Sequence, residues 1–119
     1  MNIKSSTHPP KLEQVFRALS DPTRLRIMNL LSEGEMCVCD LVSILGVLQP
    51  AVSRHLSYLR KVGLVLARKE GLWVHYRLAD PKTGFHRKLL ECLTSGEEQW
   101  GQLGKDRKQL RCEGRSDCC

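Results

Sequence analysis

Residues 35–41 read Glu-Met-Cys-Val-Cys-Asp-Leu, which sets Cys37 and Cys39 one residue apart. Thiolates are soft ligands and select soft ions such as Cu(I), Zn(II), Cd(II) or a trivalent metalloid. On spacing alone such a pair is more often a packing coincidence than a site. The neighbourhood changes that reading, because a helix with a polar, basic face begins at Gln49, directly downstream. Near the C-terminus, Cys112, Cys118 and Cys119 stand among Gly, Ser, Arg and Asp, a flexible composition. They have three readings of equal standing: they complete a site with Cys37 and Cys39, form a separate soft-ion site, or do neither. Cys92 has Leu89 and Leu93 on its own helix and is expected to be packed.

The second constellation lies in residues 49–62. Val52, Leu56 and Leu59 form one helical stripe, and the opposite side carries Pro50, Arg54, Ser57 and Lys61 without an acid. A guanidinium forks onto guanine O6 and N7, while Gln and Ser offer donors and acceptors to base edges or phosphates. Gln49, Ser53 and Arg54 are therefore expected at base edges, with Ser57 and Lys61 nearer the phosphates. Arg68 and Lys69, in the hairpin that follows, would reach an adjacent minor groove or its phosphates. His55, on the shoulder of the buried stripe, is read as a packing or hydrogen-bonding residue, and Trp73 and Tyr76 as core or wing support. The formal charge is +6, from 19 Lys and Arg against 13 Asp and Glu. The excess is concentrated at Arg54, Arg60, Lys61, Arg68, Lys69 and Arg77, opposed in that stretch by Glu70 alone. An anionic partner fits such a surface; the plainer reading is a well-solvated basic face.

The elements that must hold these groups follow from apolar spacing. Leu12, Val15, Phe16 and Leu19 mark a first helix. Asp21 is placed to cap a second, with Pro22 at its first position, where a missing N–H costs nothing. Leu25, Ile27, Met28 and Leu31 face the core of that helix, which stops near Gly34. Met36-Cys37-Val38 reads as extended, and a third helix runs from about Cys39 to Leu45 over Leu41, Val42 and Leu45. Gly46 ends it, and after a short turn the fourth helix covers Gln49 to Val62. Two such helices joined by a turn of three or four residues form a helix-turn-helix. From Leu64 to Leu78 the alternation predicts two strands turning at Glu70-Gly71, the wing of a winged helix. A last helix is expected from about Thr83 to Leu93, with an extension toward Trp100 allowed.

The fold class read from this pattern is mainly α with a small β-hairpin, a winged helix-turn-helix. The chain of 119 residues is expected to divide into a flexible arm at 1–10, a body at 11–100 and a flexible Cys-containing tail at 101–119. Residues 1–10 are polar, so no export signal is expected, and no apolar run nears the roughly 20 residues of a membrane span. Six cysteines without export are expected to stay reduced in a cytoplasm, available for ligation or redox sensing. No paired carboxylates, His-centred dyad or phosphate-cradling Gly loop argues for an enzyme.

Four stretches, ALSDPTRLRIMNLL (18–31), GEMCVCDL (34–41), QPAVSRHLSYLRKVGL (49–64) and RKEGLWVHYRL (68–78), resemble the ArsR/SmtB family of bacterial metal-sensing repressors. The arsenic-sensing ArsR branch is the most similar. The resemblance implies a homodimeric winged helix that binds an inverted-repeat operator in double-stranded DNA and lets go when an inducer binds. It also implies a dimer interface built from the first and last helices, and no cofactor in the apo-protein.

Two departures stand out. Leu48 replaces the Ser or Thr that usually caps the recognition helix, a loss on the order of 1 kcal/mol. The arsenic branch resembles Cys-Val-Cys-Asp-Leu-Cys, whereas here the third place is Val42. Inside an ideal helix residues i and i+2 point about 200° apart. At the junction of an extended stretch and a helix, however, alternate side chains share one side, so Cys37 and Cys39 can converge. The partial positive charge of a helix N-terminus favours the thiolate of Cys39. The inducer is then As(III), methylated As(III) or Sb(III), held by two thiolates or by two plus a tail cysteine. A zinc site on the last helix is not expected, since Asp80 and His86 lack the family's spacing. The competing readings are a thiol redox-switch repressor and a soft-metal-buffering thiol protein that uses its winged helix to bind protein.

Overall fold

The computed structural model describes residues 10–113, with the side chain of Glu113 excepted. Its elements in chain order are α1 (Leu12–Leu19), α2 (Pro22–Leu31), β1 (Met36–Cys37), α3 (Val38–Leu45), α4 (Gln49–Val62), β2 (Val65–Glu70), β3 (Trp73–Leu78), α5 (Gly84–Thr94), a 3-10 turn (Gly96–Glu98) and α6 (Gly101–Glu113). The fold is a winged helix-turn-helix, mostly helical with one small antiparallel sheet.

Local chemistry sets the boundaries. Asp21 caps α2 by accepting the Arg24 N–H at 3.0 Å, with Pro22 opening the helix. Gly46 (φ 67°) and Gly63 (φ 99°) end α3 and α4 in the left-handed region, where a side chain would be strained. Leu48 heads α4 with no side-chain capping bond and is 80% exposed. Only the backbone turn at 46–48 and Pro50 set the start of that helix.

The core lies where α1, α2, α3 and α4 meet the sheet, around Val15, Ile27, Met28, Leu30, Leu41, Val52, Leu56, Leu59, Leu64 and Val65. In α3 the covered face is Leu41, Ile44 and Leu45, with Val42 only partly buried. In α1 the stripe splits: Val15 and Leu19 are buried while Leu12 and Phe16 are each 56% exposed.

Three sequence expectations are corrected. The sheet has three strands in the order β1-β3-β2, because the extended Met36-Cys37 pairs with β3, Met36 opposite Tyr76 and Cys37 opposite His75. The last expected helix does not run on to Trp100; it ends at Thr94, and the chain turns through Gly96–Glu98. The tail expected to be flexible from residue 101 begins with a helix of 13 residues, α6, which packs on α2 and α3. Leu103 and Leu110 are buried there, alongside a set of polar contacts. Asp106, 1% exposed, accepts two bonds from Arg26 (Nε 2.7 Å, Nη2 2.9 Å) and one from Gln102 Nε2 (2.8 Å). Asn29 Nδ2 donates to the Leu103 carbonyl, and Arg107 reaches Glu97, Glu33 and the Thr94 carbonyl. The expected places of Cys118 and Cys119 lie outside the described residues.

Candidate nucleic-acid interface and thiol site

α4 presents its polar side as expected from periodicity. Val52, Leu56 and Leu59 are buried, while Gln49, Arg54 and Lys61 are exposed and Ser53 and Ser57 half-buried. The offsets 50, 54, 57 and 61 follow the helical repeat, so these side chains share one face. Among the described residues, Arg54 and Lys61 form no ion pair. A guanidinium and an ammonium on a rigid helix, with no carboxylate holding them, suit a polyanion.

Sequence reasoning missed a second contributor to this surface. Arg24 of α2 lies beside α4, its guanidinium 4.2 Å from the centre of the Tyr58 ring and its Nη1 3.2 Å from His55 Nδ1. His55 thus has the hydrogen-bonding role expected of it. No periodicity within α4 could have revealed Arg24, because it enters from another helix.

The wing distributes its charges differently from the expectation. Lys69 is exposed near the tip, but Arg68 folds back: its Nη2 and Nε lie 2.6 and 3.2 Å from the two carboxylate oxygens of Glu35, and its Nη1 3.3 Å from Glu70. The Arg68 hydrogen bond holds the Glu35 carboxyl below its ordinary range, and the same contact raises the guanidinium further. Both groups are therefore charged across the range in which proteins work. Arg68 ties the wing to the segment that carries the thiols instead of standing out as a lone cation. Trp73, expected as support, is 45% exposed at the start of β3, whereas Tyr76 packs against the core.

Cys37 and Cys39 occupy a junction of three elements. Cys37 ends β1 and is the N-cap residue of α3 in extended conformation (φ −87°, ψ 166°). Cys39 lies in the first turn of α3. This extended-to-helical change brings the two sulfurs to 3.0 Å. Cys37 Sγ also lies 3.5 Å from Asp40 Oδ2, and Cys37 is 1% exposed, with Cys39 more open. The junction is joined on one side to the wing, through the Cys37–His75 pairing, and on the other to the recognition helix, through the packing of α3 on α4.

The other described cysteines are elsewhere. Cys92 is exposed, against the expectation that it would be packed; it sits one step of about 100° from Leu93, off the stripe that faces the core. Cys112 is exposed near the end of α6. Among the described residues no group of three His, Cys, Asp or Glu side chains is arranged to hold a metal ion. His86 is buried, its Nδ1 accepting the Lys82 backbone N–H at 3.4 Å, and burial pushes its pKa down.

Comparison with known proteins gives this geometry its context. The family described as "Bacterial regulatory protein, arsR family" matches residues 21–66, from the start of α2 into β2. The arsenical resistance operon repressor of Escherichia coli (strain K12) is 44% identical over 105 residues, 87% of this chain and 90% of that protein. Among solved structures, reduced HlyU from Vibrio cholerae N16961 superposes with a TM-score of 0.62 at 31% identity, over 74% of this chain and 86% of that one. The homodimeric winged helix-turn-helix DNA-binding domain of Mb0332 from Mycobacterium bovis does so with a TM-score of 0.62 at 29% identity, over 75% and 80%. These are transcriptional regulators, not enzymes. The chain belongs to the ArsR/SmtB family of transcriptional repressors, on the branch of the arsenical resistance operon repressors.

Proposed function

We propose that this repressor binds an inverted-repeat operator as a homodimer and is released by a trivalent arsenical or antimonial chelated by Cys37 and Cys39. The observation that carries the reading is the pair of sulfurs 3.0 Å apart at a junction shared by the wing and the recognition helix. Ligation balances as exchange without redox: As(OH)3 and two thiols give a bis-thiolate arsenic hydroxide and two waters. With a methylated arsenical the methyl group stays on arsenic, and two thiols displace both hydroxyls as water. Bond angles favour such a centre. Zn–S bonds of about 2.3 Å at tetrahedral angles set sulfurs about 3.8 Å apart, whereas angles near 90° at that length set them about 3.3 Å apart.

Dimerisation has a surface to use. Leu12 and Phe16 of α1 and Phe85 of α5 are 56%, 56% and 40% exposed, and the Phe16 and Phe85 rings lie 6.0 Å apart, edge to face. An apolar patch on the two helices expected at the interface fits an isologous pairing, which would set two recognition helices about one DNA turn apart. Among the described residues no helix is long and apolar enough to cross a membrane. DNA as partner and thiols as ligands assign the work to the cytoplasm.

Ligand binding must act through the junction. Drawing both sulfurs onto one atom moves the Cys37 backbone, which is paired with His75, and the first turn of α3, which packs on α4. Glu35 is two residues from Cys37, so its grip on Arg68 changes with it. A coupling of 1–3 kcal/mol, typical of such linkage, lowers operator affinity about 5- to 150-fold.

The test is a titration of As(III), methylated As(III), Sb(III), Cd(II) and Zn(II) against the protein on a fluorescent operator duplex, with a phosphine reductant. It is run on the full chain and on one ending after Leu110. Release by trivalent arsenicals with both chains supports the two-thiolate site. Loss of the As(III) response alone on truncation brings a tail cysteine into the site, and loss of both responses moves the site into the tail. Release by a thiol oxidant without any arsenical would favour the redox switch.

The DNA face is tested separately. Arg54→Ala is expected to cost roughly 1–3 kcal/mol of operator binding and to relax base preference, while Lys61→Ala weakens all sequences alike. Binding by wild-type protein that ignores salt, or one monomer per duplex, would overturn this assignment.

A further inference from the structure

The open depression between α2 and α4 is lined by Arg24, Arg54, His55, Ser57, Tyr58 and Lys61 and has a volume of about 400 Å³. Three of the six are permanent cations and none is an acid. The nearest acid in sequence, Asp21, is used as the cap of α2.

Arg24 differs from the other cations in being held. Its Nε donates to the Ala18 carbonyl at 2.6 Å, its Nη1 donates to His55 Nδ1 at 3.2 Å, and its Cζ lies over the Tyr58 ring, 4.2 Å from the centroid. The bond to Nδ1 leaves the imidazole proton on Nε2. A guanidinium carries five N–H donors. Two are used in these bonds, and the other three have no partner among the described residues. A guanidinium fixed by stacking and two hydrogen bonds loses little side-chain freedom when it meets an anion, unlike the exposed Arg54 and Lys61.

We propose that this depression seats one backbone phosphate of the operator in each half-site, with Arg24 as its fixed element and Lys61 and Ser57 closing around it. The inference rests on the DNA-binding reading above and deepens it. The seat would register the duplex against α4, so that Arg54 meets the base edges at a set depth, without itself reading sequence.

The test compares the salt dependence of operator binding for wild type, Arg24→Gln and Arg24→Lys, with thermal melts to confirm folding. Arg24→Gln is expected to weaken operator and unrelated duplex alike, by at least about tenfold, and to reduce the log–log salt slope by about 1.8, about 0.9 for the phosphate lost in each half-site. Arg24→Lys should keep most of the slope, because it keeps the charge. A merely structural role for Arg24 would not move the slope. Scanning single methylphosphonate linkages through the duplex gives a readout that needs no variant to fold. Wild-type protein should lose affinity at one such linkage per half-site next to the α2–α4 contact, and for folded Arg24→Gln that linkage should no longer matter. A wild-type slope in folded Arg24→Gln, or no sensitive linkage beyond those of Arg54 and the wing, overturns the phosphate seat while leaving DNA binding intact. Absence of DNA binding by the wild type would overturn both.

Discussion

Cys37→Ser and Cys39→Ser are each expected to leave operator binding within about threefold of wild type, under 1 kcal/mol, while abolishing release by trivalent arsenicals. The two halves of that expectation have separate physical origins. Serine removes a soft ligand and leaves an oxygen that binds arsenic weakly by comparison. It changes little in volume, and at position 37 the hydroxyl can still donate to Asp40, whose Oδ2 lies 3.5 Å from the sulfur. The β1–β3 pairing is a backbone interaction and is preserved. Neither the DNA face on α4 nor its support in the core should change. The measurement is the ligand titration on the fluorescent operator duplex with a phosphine reductant, since a dithiol would compete for arsenic. A normal arsenical response from either variant would show that the inducer binds elsewhere. Loss of operator binding itself would show that the sulfurs are needed for the DNA-bound conformation.

The parts of this molecule legible in the sequence are those in which one element carries its own signal. In α4 the stripe Val52, Leu56 and Leu59 and the acid-free face lie within 14 residues, and the stop at Gly63 follows directly. The α2 start was equally plain, since Asp21 and Pro22 act on their own helix. What was not legible depends on partners distant in sequence. Met36 and Cys37 are too few to announce a strand; they become one only because β3 passes alongside. Arg68 reads as a wing-tip cation until the fold brings Glu35, 33 residues earlier, within 2.6 Å. Arg24 reads as an ordinary residue of α2 until His55 and Tyr58 arrive beside it. The thiol junction stands between these cases. Its residues and their change from extended to helical backbone were visible, but its attachment to the wing was not.

The largest effect on stability is expected from Asp106→Ala, and the reason also explains why α6 escaped notice. Residues 101–113 contain two glycines and six charged side chains, with Leu103 and Leu110 as the only large aliphatic residues. By composition such a stretch belongs in solvent. It stays on α2 because its charges are satisfied by partners 80 positions away in sequence: Arg26 forks onto Asp106 at 2.7 and 2.9 Å. Removing one member of a buried pair leaves the other charge without a counterion, which costs about 3–5 kcal/mol. Asp106→Ala also deprives Gln102 of its acceptor. Chemical denaturation should therefore show a loss in that range, with Arg26, at 17% side-chain exposure, recovering part of it through water. The double replacement Arg26→Met with Asp106→Leu removes both charges and is expected to regain most of the loss, since apolar substitutes for buried ion pairs are often neutral or stabilising. If Asp106→Ala costs less than about 1 kcal/mol, the value of an exposed ion pair, the contact contributes no more than a surface bridge, and α6 must be held by Leu103 and Leu110 instead.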